Sequence, residues 1–149
     1  MAFASVAELH KAAGTSLGYT DWITIDQERI NTFADATGDH QWIHVDAERA
    51  AAGPFGTTIA HGYLTLSLLP ALIGGRFSVE GARMAVNYGL NKVRFPAPAP
   101  VGSRVRALVE LVDVTDITGG VQVTAQITVE REGGEKPVCV AESLSRFYL

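Results

Sequence analysis

The sequence predicts an α+β protein in which a curled antiparallel β-sheet of about five strands is wrapped around one central, buried helix. Three observations predict this fold class. The segment that follows Gly62 is apolar on nearly every side, which is typical of a buried helix. The second half of the chain alternates apolar and polar residues in long runs, as strands with one buried face do. With 149 residues, of which 47% are apolar, the chain can bury one core, and we expect a single domain over residues 1–149.

The opening part of the chain predicts two helices with a strand between them. Ser5 and Glu8 stand in the S-x-x-E relation of a capping box, which marks a helix start. Residues 18–25 are rich in aromatic and β-branched types and predict a strand. Asp26 is placed to cap a second helix, whose apolar residues recur at spacings of three and four until Gly38 ends it.

Turn signals dominate the stretch between Gly38 and His61. Asp46 is placed to cap a short helix, and Gly53–Pro54 predicts a turn. Three of the four histidines fall in this stretch, which matters because functional side chains concentrate on loops held by a rigid scaffold.

The apolar helix is predicted over residues 62–73. Pro70 should kink or break it, because proline cannot donate a helical hydrogen bond, and Gly74–Gly75 should end it. The run PAPAP at 96–100 predicts a stiff connector rather than a strand. The long strands are predicted at residues 83–95, 105–111, 121–129 and 136–148. Helix 62–73 is the candidate with enough apolar surface to cover this sheet, and a helix wrapped by a curled antiparallel sheet is the hotdog fold.

Composition and charge exclude several classes of function. The formal net charge is −4, so the chain lacks the basic face that a nucleic-acid-binding protein presents. No apolar run reaches the roughly 18 residues of a membrane span, and the first residues lack the cationic and apolar regions of a signal peptide. The single cysteine, Cys139, excludes an internal disulfide and a cysteine-based zinc site. We expect a cytoplasmic protein without nucleic-acid or membrane partners.

The ionisable residues are densest in FADATGDHQWIHVD, residues 33–46, and three chemical interpretations compete for them. A metal site is disfavoured: His40 and His44 are four apart, but Gly38 ends the helix before them and no third ligand stands at a recognisable spacing. In a purely structural interpretation, Asp39 caps a turn, Asp46 caps the next helix, and the histidines are structural or exposed. We assign this structural role to His10, Asp35 and His40.

The third interpretation is acid–base catalysis by Asp39 and His44. These residues are five apart in a predicted non-helical turn, so their side chains can converge on one small molecule and polarise a water. The helix start at Gly62 offers free backbone amides, and glycine has no Cβ to block a carbonyl oxygen. An acid–base pair beside such an amide is what the addition of water to an α,β-unsaturated thioester requires.

The motifs resemble the hydratase signature of MaoC-like dehydratases and (R)-specific enoyl-CoA hydratases. The resemblance is carried by FADATGDHQWIHVD, by PFGTTIAHGYL at 54–64 and by NYGLNKVRFPAPAPVGSRVRA at 87–107. It implies the hotdog fold and a hydro-lyase of fatty-acyl metabolism. The family often carries Asn-Pro between the two catalytic residues, where this chain has Gln41–Trp42.

The resemblance also implies residue roles. Asp39 and His44 would bind the water that is added to a trans-2-enoyl-CoA to give the (R)-3-hydroxyacyl-CoA, and Gly62 would donate its amide to the thioester carbonyl. Asp46 and His61 would orient the loop and the helix start. The resemblance further implies a homodimer and no cofactor or metal besides the coenzyme A thioester, which is the substrate.

Two alternatives keep the fold and change the task. An acyl-CoA thioesterase of this fold generally uses an acidic residue in the helix region, and residues 62–75 contain none. A non-catalytic acyl-CoA binder would resemble nodulation protein N. Because the chain is mildly acidic, we expect the phosphates of coenzyme A to need local cations such as Lys92, Arg94 or Arg104.

Overall fold

The computed structural model describes residues 1–74 and 76–149. The elements follow in this order along the chain: β1 (Ala2–Phe3), α1 (Val6–Lys11), β2 (Ser16–Tyr19), β3 (Ile23–Ile25), α2 (Gln27–Thr37), α3 (Trp42–Val45), α4 (Ala47–Ala51), α5 (Gly62–Ser67), α6 (Leu69–Ile73), β4 (Ser78–Val79), β5 (Met84–Arg94), β6 (Ser103–Ile117), β7 (Gly120–Arg131) and β8 (Cys139–Tyr148).

The main sheet is antiparallel and follows the order β2–β6–β7–β8–β5, with β3 also paired to β6. The four long strands confirm the prediction. The strand predicted over residues 18–25 is instead two strands, so that the sheet has six strands rather than about five. The ladder is interrupted at Thr20, whose hydroxyl oxygen accepts a 2.9 Å hydrogen bond from the amide of Ala107. The short strands β1 and β4 form a separate parallel pair.

Alternation along β6 and β7 places one face of each strand in the core. Val109 pairs with Ile127, and both are buried, as are the alternate residues on either side of them. The buried face of the sheet and the apolar side chains of α5 and α6 belong to one core cluster. This arrangement is the predicted hotdog architecture.

The helix predicted over residues 62–73 is two short helices, α5 and α6, that meet at Leu68. The break predicted near Pro70 is confirmed, because α5 ends before it and a new helix begins at Leu69. Pro70 lies in the first turn of α6, where its missing N–H costs no helical hydrogen bond. Gly74 ends α6, whereas Gly75 lies outside the described residues. The expectation of a helix buried on all sides is wrong. Tyr63 is 70% exposed, and Ser67 and Pro70 are exposed with it, because the sheet covers only part of the helix surface in this chain.

The predicted helix caps are present. The Ser5 hydroxyl accepts from the amide of Glu8 at 3.2 Å, and the Glu8 carboxylate accepts from the amide of Ala4. Asp26 caps α2 through a 2.8 Å bond from the amide of Arg29. The end of α2 is Gly38 in the left-handed conformation, which turns the chain into the loop that carries Asp39.

Cys139 is fully buried, and burial raises the pKa of its thiol to about 11. None of the described helices is long and apolar enough to span a membrane.

Candidate active site

His44 lies in the short helix α3, not in the non-helical turn that the sequence predicts. Gln41 precedes the helix and Asp46 ends it, so a single turn carries the imidazole inward. The buried ring makes a 2.7 Å hydrogen bond between Nδ1 and the carbonyl oxygen of Ile59. A carbonyl only accepts hydrogen bonds, so Nδ1 carries the hydrogen and Nε2 keeps a free lone pair.

His61 packs face to face with His44. Their ring centroids are 3.8 Å apart with 23° between the planes, and Phe33 covers the His61 ring at 4.8 Å. Nε2 of His61 donates to the backbone carbonyl of Asp39 at 2.9 Å, which ties the loop to the start of α5. The remaining nitrogen, Nδ1, is buried and has no hydrogen-bond partner among the described residues.

Asp39 lies in the exposed loop directly after Gly38. One ligand atom from each of Asp39, His44 and His61 lies within 4.8 Å of the other two. The spacing of Asp39 and His44 predicts that their side chains converge, and the structure brings both together with His61. Nitrogen and carboxylate oxygen atoms at this separation can hold a water or a divalent cation; the expectation of no metal stays a prediction.

The pKa of His44 is lowered from its usual 6.5, first because burial disfavours the charged ring. The hydrogen bond to the Ile59 carbonyl raises this pKa in part. The nearby His61 lowers it further, and the charge of Asp39 raises it. His44 is therefore neutral at pH 7 and able to accept a proton.

Gly62 begins α5, so its amide has no acceptor within the helix. A Cβ at this position would lie 2.9 Å from the ring of Phe95. The glycine is predicted to leave room for a substrate carbonyl, but in the structure the space of the missing side chain is filled by Phe95. Tyr63 meets the same ring edge-on, with centroids 6.1 Å apart.

Gln27 and Thr58 support His44, although no sequence pattern predicts this role for them. The Gln27 side chain donates from Nε2 to the carbonyl of His44 at 2.8 Å. Its Oε1 accepts from the hydroxyl of buried Thr58 at 2.6 Å. Thr58 directly precedes Ile59, whose carbonyl accepts the hydrogen bond from the His44 ring. The bond between Gln27 and Thr58 therefore connects the two backbone segments that orient His44. The residues are 31 positions apart, and no local motif links them.

The remaining candidates have structural contacts. Asp46 accepts from the amide of Arg49 at 3.0 Å and so caps α4. His40 pairs with Asp35 at 2.9 Å. The Trp42 ring lies under the Arg49 guanidinium at 4.4 Å. His10 pairs with Asp116 at 2.8 Å, as His40 does with Asp35, but lies away from this loop.

A largely apolar cavity of about 590 Å³ lies between the α5–α6 helices and the inner face of the sheet. Leu66, Leu69 and Ile73 line it, and they continue the side of the helix on which Gly62 lies, at spacings of four, three and four. Leu68 keeps right-handed helical dihedral angles between the two helices, so this line of residues is continuous. The cavity thus begins one turn beyond Gly62.

Comparison with known proteins identifies the family. The profile of the MaoC like domain matches residues 8–132. The chain belongs to the MaoC-like dehydratase family. A MaoC-like relative, 3-hydroxyacyl-thioester dehydratase Z of Mycobacterium tuberculosis, is 65% identical over 146 residues, which are 97% of each chain. Nodulation protein N of Rhizobium leguminosarum is 46% identical over 140 residues, 92% of this chain and 87% of that protein.

A solved structure supports the MaoC-like fold. The unliganded R-hydratase of Pseudomonas aeruginosa superposes with a TM-score of 0.74 at 24% identity, over 98% of this chain and 86% of that chain. The predicted family and hotdog fold are confirmed, and so is the enzyme class, since relatives of this MaoC-like chain are named dehydratases and hydratases.

Proposed function

We propose that the protein is an (R)-specific enoyl-CoA hydratase, which adds water to a trans-2-enoyl-CoA and, in reverse, dehydrates an (R)-3-hydroxyacyl-CoA. The observation that carries the proposal is the convergence of Asp39, His44 and His61 next to the first amide of α5. The 65% identity to a protein named as a 3-hydroxyacyl-thioester dehydratase supports a thioester substrate.

In this proposal the water is held by Asp39 and His44. Its oxygen attacks C3 of the enoyl group while Nε2 of His44 takes one of its protons. Negative charge develops on the thioester oxygen, which accepts a hydrogen bond from the amide of Gly62. The proton then passes to C2, directly or through Asp39, and both side chains return to their starting state. A general base contributes roughly 10²–10⁴ in rate, and one oxyanion donor roughly 10²–10³.

His61 and Asp46 have orienting roles in the proposed mechanism. The hydrogen bond from His61 to the Asp39 carbonyl holds the loop, and the stacked ring limits rotation of His44. Asp46 ends α3 and begins α4, which keeps the turn that carries His44 short.

We further propose that the coenzyme A phosphates bind near the end of β5. Lys92 and Arg94 are exposed there, next to Phe95, which packs over Gly62. Arg104 is a weaker candidate, because its guanidinium is engaged by Glu132 at 2.9 Å. No additional cofactor enters the proposed reaction.

We also propose a homodimer formed along β5. This strand ends the main sheet, so one edge of its backbone has no partner strand within the described residues. Its apolar side chains are exposed, Met84 at 53% and Tyr88 at 54%. An apolar edge strand of this length is a surface that proteins normally cover.

The test is hydration of crotonyl-CoA by the purified protein, with chiral analysis of the product. Asp39→Asn and His44→Gln should each lower kcat by at least about 10². The matched controls are Asp35→Asn and His40→Gln, because these residues lie in the same segment and pair with each other at the surface. The controls should retain activity.

Four outcomes contradict the proposal. Turnover close to wild type in both site variants would remove Asp39 and His44 from the mechanism, and an (S)-product would refute the stereochemistry. Binding of crotonyl-CoA by the wild-type protein without turnover would favour the non-catalytic alternative. Release of free coenzyme A thiol would favour a thioesterase.

A further inference from the structure

The cavity beyond Gly62 has a polar strip on one wall. Most of its lining is apolar, but Asn87 of β5 and Ser143 and Ser145 of β8 face it. Asn87 is exposed and Ser143 and Ser145 are half-buried, and none of the three side chains makes a hydrogen bond to another of the described residues. Asn87 and Ser145 are paired across the strands, so their polar groups stand side by side.

The strip interrupts an otherwise apolar surface. Ser145 also pairs with Val123 on β7, and Val123 pairs with Val114 on β6, so the same row of the sheet continues as buried valines. Ser143 pairs with Ala125, whose row continues to the buried Leu111. The polar residues therefore occupy positions where the neighbouring strands bury hydrocarbon.

The strip lies at a definite distance along β8 from the end of β5, which packs next to the proposed thioester position. Phe95, which covers Gly62, follows Arg94, and Arg94 pairs with Val140. Ser143 is three residues and Ser145 five residues further along β8. At about 3.3 Å per residue these steps correspond to roughly 10 and 17 Å.

A plain hydrocarbon chain is a poor occupant for this part of the cavity. It would displace water from the Asn87 amide and the two serine hydroxyls without replacing the hydrogen bonds, and an unpaired polar group carries a free-energy penalty. A chain with a hydroxyl or keto oxygen at the same depth would satisfy them. Asn87 and the serines can serve as donors or acceptors, so both kinds of oxygen fit.

We propose that the cavity selects enoyl thioesters whose acyl chain carries an oxygen function, a hydroxyl or a ketone, about 10 to 17 Å from the thioester. The inference rests on the proposed hydratase function and names its substrate class. Asn87 and Ser145 are the specificity-determining residues, with Ser143 at the near end of the strip.

The experiment compares pairs of trans-2-enoyl-CoA substrates of equal chain length. One member is a straight alkyl chain long enough to reach Ser145, and the other carries a hydroxyl or keto group at that depth. Both members share the coenzyme A moiety, so its contacts cancel in the ratio of their kcat/KM values. We expect the oxygenated member to be favoured by about tenfold, as one or two additional hydrogen bonds would give.

Variants test the residues. Asn87→Leu and Ser145→Ala should each lower the ratio towards one. Asn91→Leu is the matched control, since Asn91 is on the same strand, bonds to Glu142 at 2.6 Å and does not line the cavity. The control should keep the wild-type ratio.

Equal kcat/KM values for the two members in the wild-type protein would overturn the proposal, and this result needs no variant to fold. An unchanged ratio in both Asn87→Leu and Ser145→Ala would overturn the residue assignment. Crotonyl-CoA is too short to reach the strip. Its hydration by the wild-type protein therefore tests the proposed hydratase function separately from the selection of oxygenated chains. Failure with crotonyl-CoA refutes the hydratase, whereas success there with a ratio of one refutes only the selection of oxygenated chains.

Discussion

The imidazole of His44 is oriented by contacts from two other parts of the chain, Gln27 and the segment from Ile59 to His61. Its Nδ1 bonds to Ile59, its own carbonyl bonds to Gln27, and its face stacks on His61. Each contact removes rotational freedom before a substrate arrives. The ring is therefore held in one orientation in the free protein, as the proposed role of general base requires.

Replacement of Thr58 tests the support of His44. Thr58→Val keeps the shape of the side chain but leaves Oε1 of Gln27 without its donor, which should cost about 1 kcal/mol of unfolding free energy. It should also lower kcat more than it raises KM, because the imidazole loses alignment. Thr58→Ser restores the hydroxyl and should rescue both. Urea unfolding and steady-state kinetics check the prediction; a Thr58→Ser variant as slow as Thr58→Val would contradict it.

The pH dependence should reflect the lowered pKa of His44. Burial holds this pKa below 6.5, so the base form persists at pH 6.5 and kcat/KM should fall only at lower pH. The same shift affects stability. The unfolded chain binds a proton at His44 from about pH 6.5 downwards while the folded chain resists it, so the unfolding free energy should decrease as pH falls through this range.

The measurements are a pH–rate profile and an NMR titration of the imidazole. His44→Gln should remove the corresponding part of the pH dependence of stability, because glutamine does not titrate. An imidazole that titrates above 6.5 would contradict the prediction.

Among the secondary-structure elements, the start of α5 is the most constrained. Phe95 comes from the segment after β5 and packs where a Cβ of residue 62 would be. The helix start is thereby held against the end of β5, and the position of the free amide depends on a contact between two elements distant in sequence.

Gly62→Ala should therefore damage both packing and activity. The added methyl group must displace the aromatic ring, at a cost of about 1–3 kcal/mol for overpacking. Phe95→Leu in the same chain should relieve the clash, so the effects of the two substitutions on unfolding free energy should not add. A double-mutant cycle measured by thermal unfolding tests this, and simple additivity would show that the ring does not press on residue 62.

The molecule as a whole has an uneven surface. Its main sheet is covered by helices on one face, but β5 stays exposed along almost its full length. The cavity borders this strand, so pairing of two copies there would also close the site from solvent. Assembly and substrate binding are then properties of the same surface.

Introducing a charge into β5 tests the dimer. Val86→Lys should shift the protein from two chains to one in sedimentation experiments, because the lysine would be buried between copies. Val112→Lys is the matched control, since Val112 is an exposed valine on β6, at 48% against 38% for Val86. Equal effects of the two substitutions, or a monomeric wild-type protein, would refute pairing through β5.

Local chemistry explains which features were predictable from the sequence. The caps at Ser5, Asp26 and Asp46 depend on side chains that reach amides three residues away, and strand alternation depends on a repeat of two. The break at Pro70 follows from a missing N–H. Such interactions lie within a few residues, so spacing reveals them. The resemblance to MaoC-like proteins was carried by short motifs of the same kind.

The contacts that make the site specific were decided only by the tertiary structure. The stack of His44 on His61, the bond between Gln27 and Thr58 and the ring of Phe95 over Gly62 join residues 17 to 33 positions apart. The polar strip of the cavity requires β5 and β8 to lie side by side. No pattern in one segment encodes which distant segment will pack against it, because that partner is selected by burial of the whole core. The sequence alone sufficed for the long strands, the helix caps and the chemical class, whereas the orientation of His44 and the shape of the cavity arise when the elements pack.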